Sequence, residues 1–296
     1  MNALAAPATE ARRGPAGFGA AGPALTAADF RRIAGVVKRE AGIDLSDAKL
    51  SLVHGRLLRR VKELGLAAFR DYCDLVEQPD AAGERQVMVE ALTTNYTFFF
   101  REPHHFEDLA SNVLPALAER ARAGERVRIW SAGCSAGPEP YSIAMTLLSV
   151  LPEAAGLDVR ILATDIDRSM VAKAGAGIYE DRMLEAVSPA LRSRWFRAGP
   201  EAGTFEVDEA LKRIVAFREL NLLGDWPMRG DFDVVFCRNV TIYFDAQTRE
   251  GLWSRIARRI RPGGTLYAGH SERIVGPALA SFAHEGITTY RKRGAA

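Results

Sequence analysis

The chain places a carboxylate, Asp165, just after the run Ile161-Leu162-Ala163-Thr164 and 26 residues beyond a second carboxylate, Glu139. An acid at the end of a second strand is well placed to accept hydrogen bonds from both hydroxyls of a ribose. Upstream, Val127, Ile129 and Trp130 make an apolar run followed by Gly133 and Gly137 and then by Pro138 and Pro140. That order reads as strand, glycine turn and helix start, because glycine admits close approach to backbone and proline is tolerated in a first helical turn. An α/β protein holds a nucleotide-like cofactor in this arrangement. The GxGxxG pattern is absent, which counts against a nicotinamide or flavin enzyme. Asp167 is read as the N-cap of the helix that begins near Arg168.

Two further segments carry polar signals, TNYTFFFREPHHF at 94–106 and FCRNVTIYFD at 236–245. In the first, Asn95, Thr97 and Arg101 flank Phe98, Phe99 and Phe100, and the three phenylalanines read as core before they read as a cofactor wall. His104 and His105 have the look of a metal site. Adjacent helical residues point about 100° apart, however, and no carboxylate or thiol spacing accompanies them, so no metal is expected.

The elements that must position these residues follow from composition and pattern. At 296 residues, 48% hydrophobic and 26% charged, the chain can bury a full core and is expected to form one large domain plus a smaller one. The net charge of +2 decides nothing about nucleic acid. Cys73, Cys134 and Cys237 are far apart with no CxxC, which argues for a reduced, cytosolic protein without disulfides or zinc. The start has no continuous apolar stretch, and none later approaches the length of a membrane span, so no membrane insertion is expected.

Residues 1–24 are rich in Ala, Gly and Pro and are expected to be a disordered tail. A helical N-terminal domain is expected over 25–92, opened by Thr26 as N-cap, followed by a linker over 93–102 that contributes to the cofactor site. Strands expected at 127–130, 159–163, 232–236 and 265–268 alternate with helices at 141–150, 168–174 and 246–260 across 103–296. Such alternation means a mostly parallel sheet covered on both faces. The stretch from about 188 to 220 breaks the rhythm and is read as an inserted antiparallel β-subdomain, with short strands including 204–207 and 214–218.

The segments TNYTFFFRE, WSAGCSAGPEPYSIAM, ATDID, NLL and FCRNVTIYFD, followed by PGG and GHSE, together resemble the chemotaxis receptor glutamate methyltransferases, the CheR-type enzymes. The likeness covers about residues 26 to 291. It implies an S-adenosyl-L-methionine-dependent enzyme with an all-helical N-terminal domain, a Rossmann-like α/β methyltransferase domain and a small inserted β-subdomain, which in some members grips a peptide at the receptor tail. The implied substrate is the side-chain carboxylate of glutamates on chemoreceptor cytoplasmic helices. Carried onto this chain, the implied cofactor contacts are Asn95, Thr97, Arg101, Glu139, Asp165, Asn221, Leu222, Arg238 and Asn239. The family more often has GEEPYS where Gly137 is followed here by Pro138. Glu139 is kept, and proline suits a first turn, so the site is expected to survive the change.

Such a reaction needs positioning more than acid–base chemistry, because a carboxylate is already ionised at neutral pH. Arg101 and Tyr243 are nominated to orient the acceptor. Independently of the likeness, at 100° per residue Leu50, Val53, Leu57, Val61 and Leu64 share one arc, while Lys49, Arg56 and Arg60, with Arg59 at the margin, form a basic ridge. The ridge would suit an acidic receptor helix. Nucleic acid is disfavoured, since acidic residues balance the basic ones in this domain. Two other readings fit the same motifs, a non-catalytic S-adenosylmethionine-binding signalling scaffold and a small-molecule methyltransferase that uses the helices as a lid.

Overall fold

The structure, a computed structural model, describes residues 22–294, so all but the last three residues of the expected tail lie outside the described residues. The helical domain has four helices, α1 (Ala27–Ala41), α2 (Leu50–Glu63), α3 (Phe69–Val76) and α4 (Ala82–Leu92). Thr26 opens α1 as expected: its hydroxyl accepts from the Asp29 N–H at 3.1 Å, and Asp29 accepts from the Thr26 N–H. This reciprocal cap satisfies two N–H groups that a helix start leaves without partners. Phe30, Ile33 and Val37 of α1 pack with Val53, Leu57 and Val61 of α2 in a core that continues into one face of the sheet.

The remaining chain runs α5 (His104–Asp108), a π-helical turn, α6 (Leu114–Arg122), β1 (Val127–Ala132), α7 (Pro138–Val150), β2 (Val159–Asp165), α8 (Arg168–Ala176) and β3 (Ile178–Glu180). It continues through α9 (Pro189–Trp195), β4 (Phe196–Ala198), β5 (Thr204–Val207), α10 (Glu209–Lys212), β6 (Val215–Glu219) and β7 (Phe232–Cys237). The last elements are α11 (Ala246–Arg259), β8 (Ile260–Ala268), β9 (Phe282–Gly286) and β10 (Thr289–Lys292). The main sheet has the order β6-β2-β1-β7-β8-β10-β9, parallel from β6 through β8 and antiparallel in the last two pairings. All six residues of β7 are buried, as a central strand covered on both faces requires. From β1 the chain builds β2 and then β6 on one side and crosses back from β6 to place β7 on the other side of β1, and a crevice opens at such a reversal beyond the strand C-termini.

The inserted sheet differs from its expected extent. Its three antiparallel strands are β3, β5 and β4 in that order, so it begins at Ile178, before the expected start. Residues 215–219, expected in the insertion, instead form the parallel edge strand β6, with Ile161 opposite Val215 and Asp165 opposite Glu219. An edge strand is half exposed, so its short mixed pattern reads like a hairpin arm, and only pairing with β2 tells the two apart.

Candidate functional site

At the strand C-termini lies a cavity of about 350 Å³. Its walls come from the 93–101 linker, the turns after β1, β2 and β7, and the loop between α1 and α2. Asn95, Thr97, Arg101, Glu139, Asp165, Asn221, Leu222, Arg238 and Asn239 all line it, as do Tyr243 and Lys49. Thus the nominated contacts from five separated motifs meet at one opening.

Asp165 ends β2 and is only 9% exposed. One carboxylate oxygen accepts the Ser135 N–H at 2.7 Å and the other the Asp167 N–H at 2.9 Å. Burial pushes the Asp165 carboxyl above its ordinary range, against the downward pull of those N–H groups. Each oxygen keeps a lone pair for a further donor. Asp167 is the N-cap of α8, accepting the N–H groups of Ser169 and Met170, as the sequence pattern predicts.

Arg238 follows the last residue of β7, and its side chain is 1% exposed. The guanidinium donates to Glu139 at 3.0 Å and to the Arg101 carbonyl, and stands 3.3 Å from Glu102. Its Nε is buried without a partner. Glu139, the second residue of α7, also accepts from the Ser131 hydroxyl at 2.7 Å. Burial raises the Glu139 carboxyl, and Arg238 and Ser131 only partly offset this. At Glu102 burial also pushes upward, but Arg238, the His270 N–H and His105 outweigh it and hold the carboxyl low.

Glu102 supplies the carboxylate that sequence spacing did not show beside His104 and His105, and one potential ligand atom from each of the three lies within 4.8 Å of the others. The Arg238 guanidinium already brings positive charge to Glu102 Oε2, the oxygen that lies 3.6 Å from His105 Nδ1. His105 is fully buried, and its Nε2 lies 3.1 Å from the Ile287 carbonyl. Burial, with Arg238 next, pushes its imidazole down to about 4.

A residue that sequence reasoning misses sits in the GHSE motif. Glu272 is 2% exposed and accepts the N–H groups of Asn239 (2.7 Å), Val240 (3.0 Å), Thr241 (2.7 Å) and Gly269 (2.7 Å), plus the Thr241 hydroxyl at 2.8 Å. It thereby clamps the turn that carries Arg238, Asn239 and Tyr243, where Asn239 has the left-handed φ of 60°. Asparagine tolerates left-handed backbone better than other side chains do, and the Glu272 contacts hold the turn there. A buried acid in a short polar motif far along the chain is the available signal.

Several expectations change in detail. Gly133 and Gly137 are expected to admit a ligand; Gly133 does line the cavity, but a Cβ at Gly133 would also meet Val240 at 2.3 Å and one at Gly137 the Tyr179 hydroxyl at 2.7 Å, so protein packing by itself requires glycine at both turns. The Asn95 amide donates to Asp167 (2.8 Å), and the Asn221 amide donates to the Glu40 carbonyl (2.6 Å) and accepts from Leu223 (2.9 Å). Both brace their own walls. Of the phenylalanine run, Phe99 is fully buried while Phe98 lines the cavity.

The basic ridge also divides. Arg56 donates to the carbonyls of Leu92 (2.9 Å) and Thr93 (2.6 Å), and Arg60 forks onto Glu84 (2.9 and 2.5 Å). These two therefore fasten the helical domain to itself and to the linker, contrary to the expected outward ridge. Lys49 and Arg59 remain exposed, Arg59 pairing along its helix with Glu63. No helix among the described residues is long and apolar enough to cross a membrane.

Comparison with known proteins bears on most of the chain. Residues 28–93 match the family model for the CheR methyltransferase all-alpha domain, and residues 95–290 match that for the CheR methyltransferase SAM binding domain. A probable chemotaxis protein methyltransferase of Rhizobium etli is 52% identical over 258 residues, covering 86% of this chain and 96% of that protein. The chemotaxis protein methyltransferase of Escherichia coli is 44% identical over 252 residues, covering 84% and 85% respectively. With the helical domain, the Rossmann-like sheet and the cavity at its strand ends all in register, the chain belongs to the CheR family of S-adenosylmethionine-dependent chemotaxis methyltransferases.

Proposed function

We propose that this chain methylates the γ-carboxylate of specific glutamates on the cytoplasmic helices of chemoreceptors, giving glutamyl methyl esters and S-adenosylhomocysteine in the cytoplasm. One observation carries the reading. The cavity that Asp165 lines also bears Lys49 and Arg101, cations with no carboxylate partner among the described residues. A cofactor floor and an anion-attracting mouth therefore share one space.

The donor set fits the cofactor. Asp165 has lone pairs left for ribose hydroxyls, Ile166 and Leu222 offer apolar wall for a base, and the unpartnered Nε of Arg238 beside Glu139 suits the charged amino-acid end. When bound, S-adenosylmethionine supplies a methyl group already activated on its sulfonium. The protein's part is to bind, orient and exclude water. Arg101 and Tyr243 orient the incoming carboxylate, which needs no general base because it is ionised at neutral pH. Holding two partners in near-attack geometry is worth about 7–11 kcal/mol of barrier.

The test is transfer of labelled methyl to a receptor fragment. Base treatment should release the label as methanol, and glutamine at the acceptor positions should abolish labelling. Base-stable label, or label found only on a small metabolite, would remove glutamate as the acceptor.

A further inference from the structure

Six large apolar side chains are exposed among the described residues, and three of them, Leu52 (37%), Tyr96 (73%) and Ile242 (45%), line the same cavity as Asp165 and Arg238. They come from α2, from the linker and from the turn after β7, so three distant pieces of sequence put apolar surface at one mouth. None of the three belongs to either buried core. Single exposed apolar residues are ordinary, but several grouped round one opening mark an interaction site.

The arrangement is specific. Leu52 lies three residues after Lys49, the exposed cation just before α2, and away from the buried arc of Val53, Leu57 and Val61. Tyr96 is held outward: Arg101 donates to its carbonyl at 3.1 Å, and the guanidinium carbon lies 5.9 Å from its ring centre. The mouth therefore alternates cation and apolar surface.

We propose that this rim docks an amphipathic acceptor helix whose glutamate is flanked, one turn before and one turn after on the same face, by apolar side chains. The inference rests on the reading of the chain as a glutamate methyltransferase and adds how it chooses among glutamates. The acceptor carboxylate meets Lys49 and Arg101, while its neighbours at i±3 and i±4, the positions a helix places beside it, meet Leu52, Tyr96 and Ile242. A glutamate surrounded by polar side chains gains only the charge contact, which salt screens.

The test uses the full chain carrying Leu52→Ala and Ile242→Ala together. The KM for a receptor fragment should rise about tenfold, equivalent to about 1.4 kcal/mol. The kcat should stay within about twofold, and S-adenosylmethionine affinity by calorimetry should be unchanged, which also reports an intact fold. The rise should be equal at about 0.05 and 0.5 M salt, whereas Lys49→Ala should raise KM mainly at the lower salt. Replacing the fragment's flanking apolar residues with glutamine should raise KM for the unmodified enzyme and add little for the double variant. If the unmodified enzyme methylates the fragment and the double variant has the same KM, or loses kcat alone, the docking surface is overturned. If the unmodified enzyme does not methylate the fragment at all, the glutamate reading itself falls, and the docking inference falls with it.

Discussion

At the floor of the cavity Arg238 is 1% exposed and is shared between Glu139 and Glu102, whereas at the mouth Lys49 is exposed and has no carboxylate partner among the described residues. The floor residues come from the turns after β1, β2 and β7, and each buried carboxylate there is held by backbone N–H groups, a hydroxyl or Arg238. The mouth residues come from α2, the linker and a short turn, and leave charge and apolar surface to solvent. Apart from Arg238 Nε and Glu102 Oε2, the buried polar groups of the floor are paired inside the protein, which makes it rigid before any ligand arrives. Exposed groups keep their hydration until a partner displaces it, which leaves the mouth free to select that partner.

The contrast between floor and mouth can be broken most forcefully at Glu272. Glu272→Ala strands four backbone N–H groups, and the expected loss is about 4 kcal/mol of stability by urea denaturation, at about 1–3 kcal/mol for each stranded group with partial rescue by water. The more conservative Glu272→Gln should retain the fold and weaken S-adenosylmethionine binding, because the turn bearing Arg238 and Asn239 loosens. Unaltered stability in the alanine variant would mean that the turn holds itself.

His105 gives a pH test of the same rigidity. Its pKa is held at about 4, below the ordinary 6.5, so the unfolded state binds more protons between those values. Its contribution is fully present above pH 6.5 and is lost as pH falls through about 4. The expected effect is up to about 3 kcal/mol. Thermal midpoints measured across this window should fall less steeply for His105→Gln; parallel curves would acquit His105.

A smaller effect is expected at Asp165. Asp165→Asn should weaken S-adenosylmethionine binding by about 1.5–3 kcal/mol, tenfold to over a hundredfold, as measured by calorimetry. Part of that loss comes from the Ser135 and Asp167 N–H groups that the carboxylate also holds. An equal affinity in a folded variant would take the ribose contact away from this residue.

The smallest effects sharpen the division along α2. Arg60 is 30% exposed and bonded to Glu84, itself 11% exposed, so Arg60→Glu should cost about 1–2 kcal/mol, between the values for surface and buried pairs. Arg59 is 87% exposed, and Arg59→Glu should change stability by less than about 0.5 kcal/mol. Matching denaturation midpoints for the two variants would contradict the division of roles between them.

Much of the fold and part of the site are legible in the chain. The Thr26 cap, the strand ending at Asp165 and the Asp167 cap each depend on neighbours within a few residues, and local chemistry identifies them. The partners of Arg56 and Arg60 are not legible, since they lie 24 to 38 residues away and the helical period of α2 alone turns both side chains outward. The role of Glu272 is hidden for the same reason: its donors lie 31 to 33 residues upstream apart from Gly269.

By itself the sequence determined the helical domain, the central parallel strands and the helices between them, several of the polar residues that cap them, and the family pattern they compose, because periodicity, caps and motif order are written along the chain. The short strands at 178–180, 282–286 and 289–292 were not legible there. Only the tertiary structure decided that residues 215–219 pair with β2, that Arg238 joins Glu139 to Glu102, and that Leu52, Tyr96 and Ile242 meet at one mouth. Those outcomes depend on which distant groups share a buried volume. A buried charge must find its partner wherever the fold brings one, whatever its distance along the chain.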